Sequence, residues 1–214
     1  MDLQHIRWVK KDNCVWDILC GPNAIAEYND KKIGSYYLSV KPSDDGSGKI
    51  ITAEFKIESF VTNLPRIGIK VKIPSSSSHI QWLGSGPHES YSDRKAGAFT
   101  GLYRHTVKDL YVPYVMPQEN GNRTGVRSLL LEGDKKLSIT SVNPIEFSAQ
   151  IFDEESMMKA LHTYELEETY ESKGFWTLHL DCVQRGVGTA TCGPDTLEQY
   201  CIKPGKYTME LIIS

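Results

Sequence analysis

The sequence has no excess of positive charge: its 214 residues carry 24 Lys+Arg against 27 Asp+Glu, a formal net charge of −3. Nucleic acid and anionic membranes recruit basic faces, so neither is expected as a partner. No apolar run approaches the roughly 18 residues of a membrane span. The segment Met1 to Asp12 also lacks the apolar stretch of a secretory leader, and a cytoplasmic location is expected. Cysteine is sparse and odd in number: Cys14, Cys20, Cys182, Cys192 and Cys201 show no CxxC spacing. A disulfide framework and a metal knuckle are both disfavoured, and the five are read as mostly reduced thiols. Internal repeats are missing, and helical periodicity is confined to one segment. What remains is ordinary globular composition, 40% hydrophobic and 24% charged, long enough for a single large domain over residues 1–214 with one continuous core.

The dominant pattern is a period of two. Ile51, Ala53, Phe55 and Ile57 alternate with Thr52, Glu54, Lys56 and Glu58, as a strand with one wet face requires. Arg66 to Ile73 repeats this, and further strands are predicted at Ile80 to Leu83, Arg127 to Leu131, Leu137 to Val142, Ile145 to Ile151, Trp176 to Val183 and Gly205 to Ile213. Turn formers separate most of them, including Asp44, Gly46 and Gly48, then Glu132-Gly133-Asp134, then Pro204-Gly205. The opening region, Leu3 to Val40, suggests two to four strands split by Gly21-Pro22 and Asn29-Asp30. One helix is predicted over Asp153 to Leu166, capped by Asp153, with Met157, Leu161 and Tyr164 on one face. The expectation is an all-β antiparallel sandwich with one short helix.

Between Gly84 and Gly125 the alternation disappears, and connections of that length are usually functional. The stretch holds Tyr91, Phe99, Tyr103, Tyr111 and Tyr114, whose rings either stack on sugars or pin the loop onto its own sandwich. Pinning is the favoured account of any single ring. Gly84 and Gly86 are expected to supply positive φ, with Pro87 stiffening the next step. Glu89, Asp93 and Arg94 put two carboxylates and a guanidinium within one turn, and a structural ion-paired network outweighs catalysis as their explanation. Glu119, Asn120 and Arg123 either face a ligand or bond the loop to itself.

The same stretch carries a recognisable signature. Residues Trp82 to Arg94 read WLGSGPHESYSDR, with Trp82, Gly84, Gly86, Pro87, Glu89, Tyr91, Asp93 and Arg94 at its fixed positions. Residues Tyr111 to Arg123 read YVPYVMPQENGNR and are followed by Arg127; a third block runs from Gln184 to Thr189 and through Cys192-Gly193-Pro194. In order and content these resemble the C-terminal domain, or separate small chain, of family 2 glycoside hydrolases of the β-galactosidase type. The resemblance covers about Gly46 to Ser214, and residues 1–45 match it loosely, as truncated first strands would.

The resemblance implies a galactose-mutarotase-like supersandwich that packs against a catalytic (β/α)8 barrel domain or large chain and completes its β-galactoside site. The family's two catalytic glutamates lie in that barrel, which takes about 250 residues by itself. This chain is therefore expected to hold no catalytic residue, metal or cofactor, and to be inactive alone. The substrate-binding positions implied are Cys192 and Gly193, in a turn where some members present a stacking tryptophan, together with Glu119 and Asn120. Cysteine offers no stacking plane, which favours a general β-galactoside over lactose as substrate. The glycine-rich turn, short of large side chains, is expected to be shaped by positive φ and to project freely. An apolar docking patch is expected around Tyr103 to Met116, leading to partner binding or a homo-oligomer. Two alternatives are a stand-alone mutarotase-like enzyme, drawing on His79, His88, His105, His162 and His179 with Glu89 and Glu119, and a carbohydrate-binding module.

Overall fold

The alternation in the sequence becomes antiparallel pairing throughout the computed structural model, which describes residues 6–10, 23–28, 31–44, 46–62, 64–189 and 193–214. Eleven strands are described: β1 (Ile6–Lys10), β2 (Asn23–Tyr28), β3 (Lys31–Pro42), β4 (Lys49–Ile57), β5 (Arg66–Pro74), β6 (His79–Gly86), β7 (Phe99–Thr106), β8 (Arg123–Glu132), β9 (Leu137–Gln150), β10 (Phe175–Gln184) and β11 (Gly205–Ile213). They form one sheet in the order β1-β2-β3-β4-β11-β9-β8-β6-β7, with β10 pairing both β9 and β5. The sheet forks at β9. Ile139 to Ser141 face β11, whereas Glu146 to Gln150 face β10. Side chains from both branches, Ala53, Met209 and Leu211 on one and Trp176, Leu178 and Leu180 on the other, meet in one apolar cluster. A second, smaller cluster gathers Ile33, Val61, Leu64, Ile67 and Ile202.

The predicted strands lie where the periodicity places them, with two changes. Leu137 to Val142 and Ile145 to Ile151 are one continuous strand, β9, because Asn143-Pro144 does not end the pairing. The stretch without alternation contains an extra strand, β7, at the sheet edge. Its Phe99 and Leu102 are exposed, so no half-buried pattern marked it. In the opening region the break at Asn29-Asp30 separates β2 from β3; Val15, Trp16 and Ile18 lie outside the described residues.

The predicted helix is shorter than its pattern. Asp153 caps α1 (Glu154–Lys159) by accepting from the Ser156 N–H, but the helix stops there. A 3-10 turn (Thr163–Glu165) and a second short helix, α2 (Thr169–Ser172), follow. Met157 packs against the core, while Leu161 and Tyr164 are exposed, so the proposed apolar face is not shared. Among the described residues no helix is long and apolar enough to cross a membrane.

Gly84 and Gly86 do not supply positive φ, contrary to expectation; both lie in extended β6. Space explains them instead. A Cβ on Gly84 would stand 2.8 Å from Val126 Cγ2, and one on Gly86 would stand 2.7 Å from the Tyr103 ring. The Tyr103 to Met116 patch is also narrower than expected. Val107 and Leu110 are buried and Tyr103 and Tyr111 pack on the core, which leaves Val115 and Met116 exposed.

Candidate functional site

The signature residues converge on one end of the sheet, around the turn formed by residues 91–94. Trp82, buried on β6, anchors it: its indole N–H donates to Ser85 O at 3.0 Å and its ring packs against Tyr103, His105 and Phe147. The Gly86-Pro87 peptide is cis, and the chain then dives inward, burying Ser90 and Tyr91. Tyr91 and Arg94 exchange backbone hydrogen bonds of 3.0 and 2.9 Å, closing a turn with Ser92 and Asp93 at its tip.

Glu89 and Arg94 use this turn to hold the segment 111–122. One Glu89 oxygen bonds both the Arg94 guanidinium and the Tyr114 hydroxyl, and the other accepts from Gly121 N–H at 2.7 Å. Arg94 also donates to Tyr114 Oη at 3.0 Å and lies over the Tyr91 ring. Asp93 points the other way. Its carboxylate accepts from the N–H groups of Val187 at 3.1 Å and Gly188 at 2.8 Å, in the glycine-rich turn. The predicted network therefore exists, but as two clamps on two loops rather than one local cluster.

The glycine-rich turn is pinned at both ends of its base, so the expectation that packing plays little part is corrected. Gly188 does have φ +59°, yet a Cβ there would stand 2.6 Å from the Thr196 nitrogen, and one on Gly186 would stand 2.6 Å from the Asp93 carboxylate. Thr196 Oγ1 donates to Gly186 O at 2.7 Å, and Thr189 N–H to Pro194 O at 3.2 Å. Gly193 is exposed beside Thr189. Cys192 lies outside the described residues.

Under these loops is a buried polar layer that the signature did not reveal. Arg66, at the start of β5, places Nη2 at 3.2 Å from Asp181, 3.6 Å from Glu119 and 2.9 Å from Gln184 Oε1. Asp181 on β10 and Glu146 on β9 are direct cross-strand partners, a like-charged pairing that disfavours ionising both. Burial, with Asp181 adding to it, raises the Glu146 carboxyl to about 7, although Asn122 Nδ2 at 2.6 Å and Gln184 N–H at 3.3 Å both donate to it. Burial first, then Glu119 and Glu89, push the Tyr91 phenol far up. Arg123 is buried too, donating to the carbonyls of Gly121 at 2.6 Å and Pro87 at 3.2 Å, and burial lowers it to about 10. The sequence hid it: Asp181 shares the polar phase of its strand with Thr177 and His179, and Glu146 with Ser148 and Gln150, an alternation that reads as a wet face although the structure buries most of it.

Asn120 is buried and bonded within its loop: Oδ1 accepts from Val112 N–H, Nδ2 donates to Gln118 O, and its carbonyl accepts from Gln150. Glu119 is the more open neighbour, at the rim beside Arg66 and Tyr91. Arg127 is exposed on β8, apart from the clamps. Four of the five candidate histidines are engaged by other groups, and the fifth, His88, is exposed next to Glu89 in the chain. His179 is buried at 2.6 Å from Glu154, His162 pairs with Glu165, His105 packs at a tilt against Trp82, His79 bonds Ser78, and His88 is exposed near Gly97. Burial opposes ionisation of Glu154, but His179 and Lys70 prevail and hold it at about 2. Among the described residues no group of His, Cys, Asp and Glu is placed to hold a metal ion.

Comparison with known proteins adds to this geometry. A family model described as beta galactosidase small chain matches residues 26–213, reaching further toward the N-terminus than the loosely matched segment suggested. A β-galactosidase of Streptococcus thermophilus is 36% identical over 156 residues, covering 71% of this chain and 14% of that protein. One from Kluyveromyces lactis is 32% identical over 185 residues, covering 86% of this chain and 17% of that protein. One from Actinobacillus pleuropneumoniae is 31% identical over 144 residues, covering 67% and 14%. The chain thus spans a small fraction of the length of the curated relatives it matches.

Proposed function

From the premise that this chain belongs to the β-galactosidase small-chain family, we propose that it is a non-catalytic β-sandwich domain or small chain completing the sugar-binding site of a family 2 β-galactosidase. In this reading a partner barrel domain or large chain hydrolyses terminal β-galactosides. The observation that carries it is the occupation of the two carboxylates of the first signature block. Glu89 is held by Arg94, Tyr114 and Gly121, and Asp93 by two backbone amides. A retaining glycosidase needs two carboxyls about 5 Å apart on either side of the scissile bond, one as nucleophile and one as acid/base. Glu89 and Asp93 brace loops instead.

The division of labour follows from the clamps. This chain supplies a rim made of the glycine-rich turn with Gly193 and of the open Glu119, Cys192 being a substrate-binding position on the resemblance alone, and the partner supplies the chemistry. No cofactor belongs to the domain. The fold is read as a supersandwich, the forked sheet with one core shared by two branches being its support. The free thiols of Cys182 and Cys201 support a reducing, cytoplasmic setting. A homo-oligomer of the complete enzyme is part of the same reading.

Turnover of a chromogenic β-galactoside by the chain alone and with a matching barrel chain tests this. The expected result is no turnover alone and restored turnover on mixing. Turnover by the purified chain that disappears on mutating one of its own glutamates would overturn it.

A further inference from the structure

We infer that Asp93 is a positioning residue for the sugar site: its carboxylate holds the Val187 and Gly188 amides and so fixes the base of the glycine-rich turn. The inference rests on the reading that this turn borders the site. Two consecutive backbone N–H groups converging on one carboxylate make an anion-binding concavity, here filled from within the chain. Charge-assisted bonds of this kind are stronger than neutral ones, and the second pins the residue with φ +59°.

The geometry is specific to a carboxylate on a short side chain. The turn approaches Asp93 so closely that a Cβ on Gly186 would stand 2.6 Å from the carboxyl group. A longer acid has no room, and a carboxamide would oppose one amide N–H with its own donor. Behind the turn, Thr196 closes the other side through Gly186 O and its backbone beside Gly188. Asp93 itself is delivered from a rigid element. The turn 91–94 stands on buried Tyr91 and is bonded through Glu89, Arg94 and Tyr114 to the segment 111–122. The two loops that border the site thus share one reference point, and the direct contact of Asp93 is with the glycine-rich turn. On that reading the turn meets the sugar beyond the galactosyl unit, the aglycone or acceptor, as the resemblance implies, and the consequence falls there rather than on the reacting carboxyls of the partner.

The test uses Asp93→Asn in this chain and in the enzyme assembled with its catalytic partner. In the chain, hydrogen exchange at the Val187 and Gly188 amides should quicken at least about tenfold while β9 amides stay unchanged. In the assembled enzyme, the ratio of galactosyl transfer onto added glucose to hydrolysis should fall about tenfold. The kcat for an aryl β-galactoside should stay within about twofold. Unchanged exchange overturns the clamp. Faster exchange with an unchanged transfer ratio and an unchanged KM for a disaccharide overturns the positioning role. If the wild-type pair shows no turnover, the proposed function fails with the positioning role, while the exchange arm still decides the clamp. Should Asp93→Asn fail to fold, Thr196→Val loosens the same turn from its other side, and an unchanged transfer ratio there overturns the positioning role.

Discussion

The two ends of β8, β9 and β10 are built on the same strands with opposite chemistry. At one end Leu129, Leu131, Ile139, Trp176 and Leu178 form part of the apolar core; at the other, Arg123, Thr124, Asp181 and Gln184 are buried as a polar layer, with the half-buried Glu146 beside them. The apolar end asks for volume and shape, and many side chains of the right size satisfy it. The polar end asks for partners. Buried charge there is tolerable where a neighbour answers it, as Arg66 does Asp181 at 3.2 Å and the carbonyls of Gly121 and Pro87 do Arg123, so the layer dictates residue identity. That contrast explains why the signature clusters at one end of the sheet.

The largest effect expected is at the junction of the two ends. Trp82 is fully buried, with Phe147 on one side and the Arg123 guanidinium over its ring. Trp82→Ala should cost about 4 kcal/mol in urea unfolding. A loss below about 1 kcal/mol would show that the ends are mechanically independent. Arg66→Met should cost nearly as much, about 3–4 kcal/mol, because it leaves Asp181 buried without its guanidinium. Adding Asp181→Leu should recover most of that loss; a double variant as unstable as the single one would mean that shape, not charge pairing, governs the polar end.

The third expectation concerns pH. Glu146 titrates at about 7 in the fold against an ordinary 4.5, so the folded state binds its proton more tightly than the unfolded chain does. Its contribution is complete below the unfolded value and is lost as pH rises from about 4.5 to about 7, up to about 3 kcal/mol. Glu146→Gln should flatten the stability–pH curve across that window. A wild-type curve that rises through it would contradict the assignment. The smallest effect expected is Gly84→Ala, where the new methyl meets Val126; overpacking should cost about 2 kcal/mol in the same assay.

The framework was legible because its strands alternate apolar and polar residues, even in β10, which the structure buries on both faces. Residues Gly205 to Ile213 form the predicted strand end for end, and Arg66 to Ile73 is extended by one residue. β7 was illegible for the complementary reason. It is an edge strand whose Phe99 and Leu102 face outward while Tyr103 packs inward, so neither a wet nor a dry face is written in its order. The clamps were half legible: Glu89, Asp93 and Arg94 announce a network by their proximity, but nothing local shows that Asp93 bonds residues some ninety positions away. The roles of Gly84 and Gly86 were misassigned because a glycine required by crowding and one required by φ look identical in sequence; the crowding residues, Val126 and Tyr103, sit on neighbouring strands.

The place of β11 in the sheet sets the order in which the chain can fold. Within the described sheet the meander β1-β2-β3-β4 joins the remaining strands through β11 alone, and β4 pairs with residues about 150 positions further along the chain. Local hairpins such as β3–β4 can form early, but they gain their other neighbour only when the last strand arrives and closes that long loop. The entropic toll of that closure falls on one late step, so folding should be slow and all-or-none with respect to β11. Until then β4 has an unpaired edge, open to any extended chain that reaches it first.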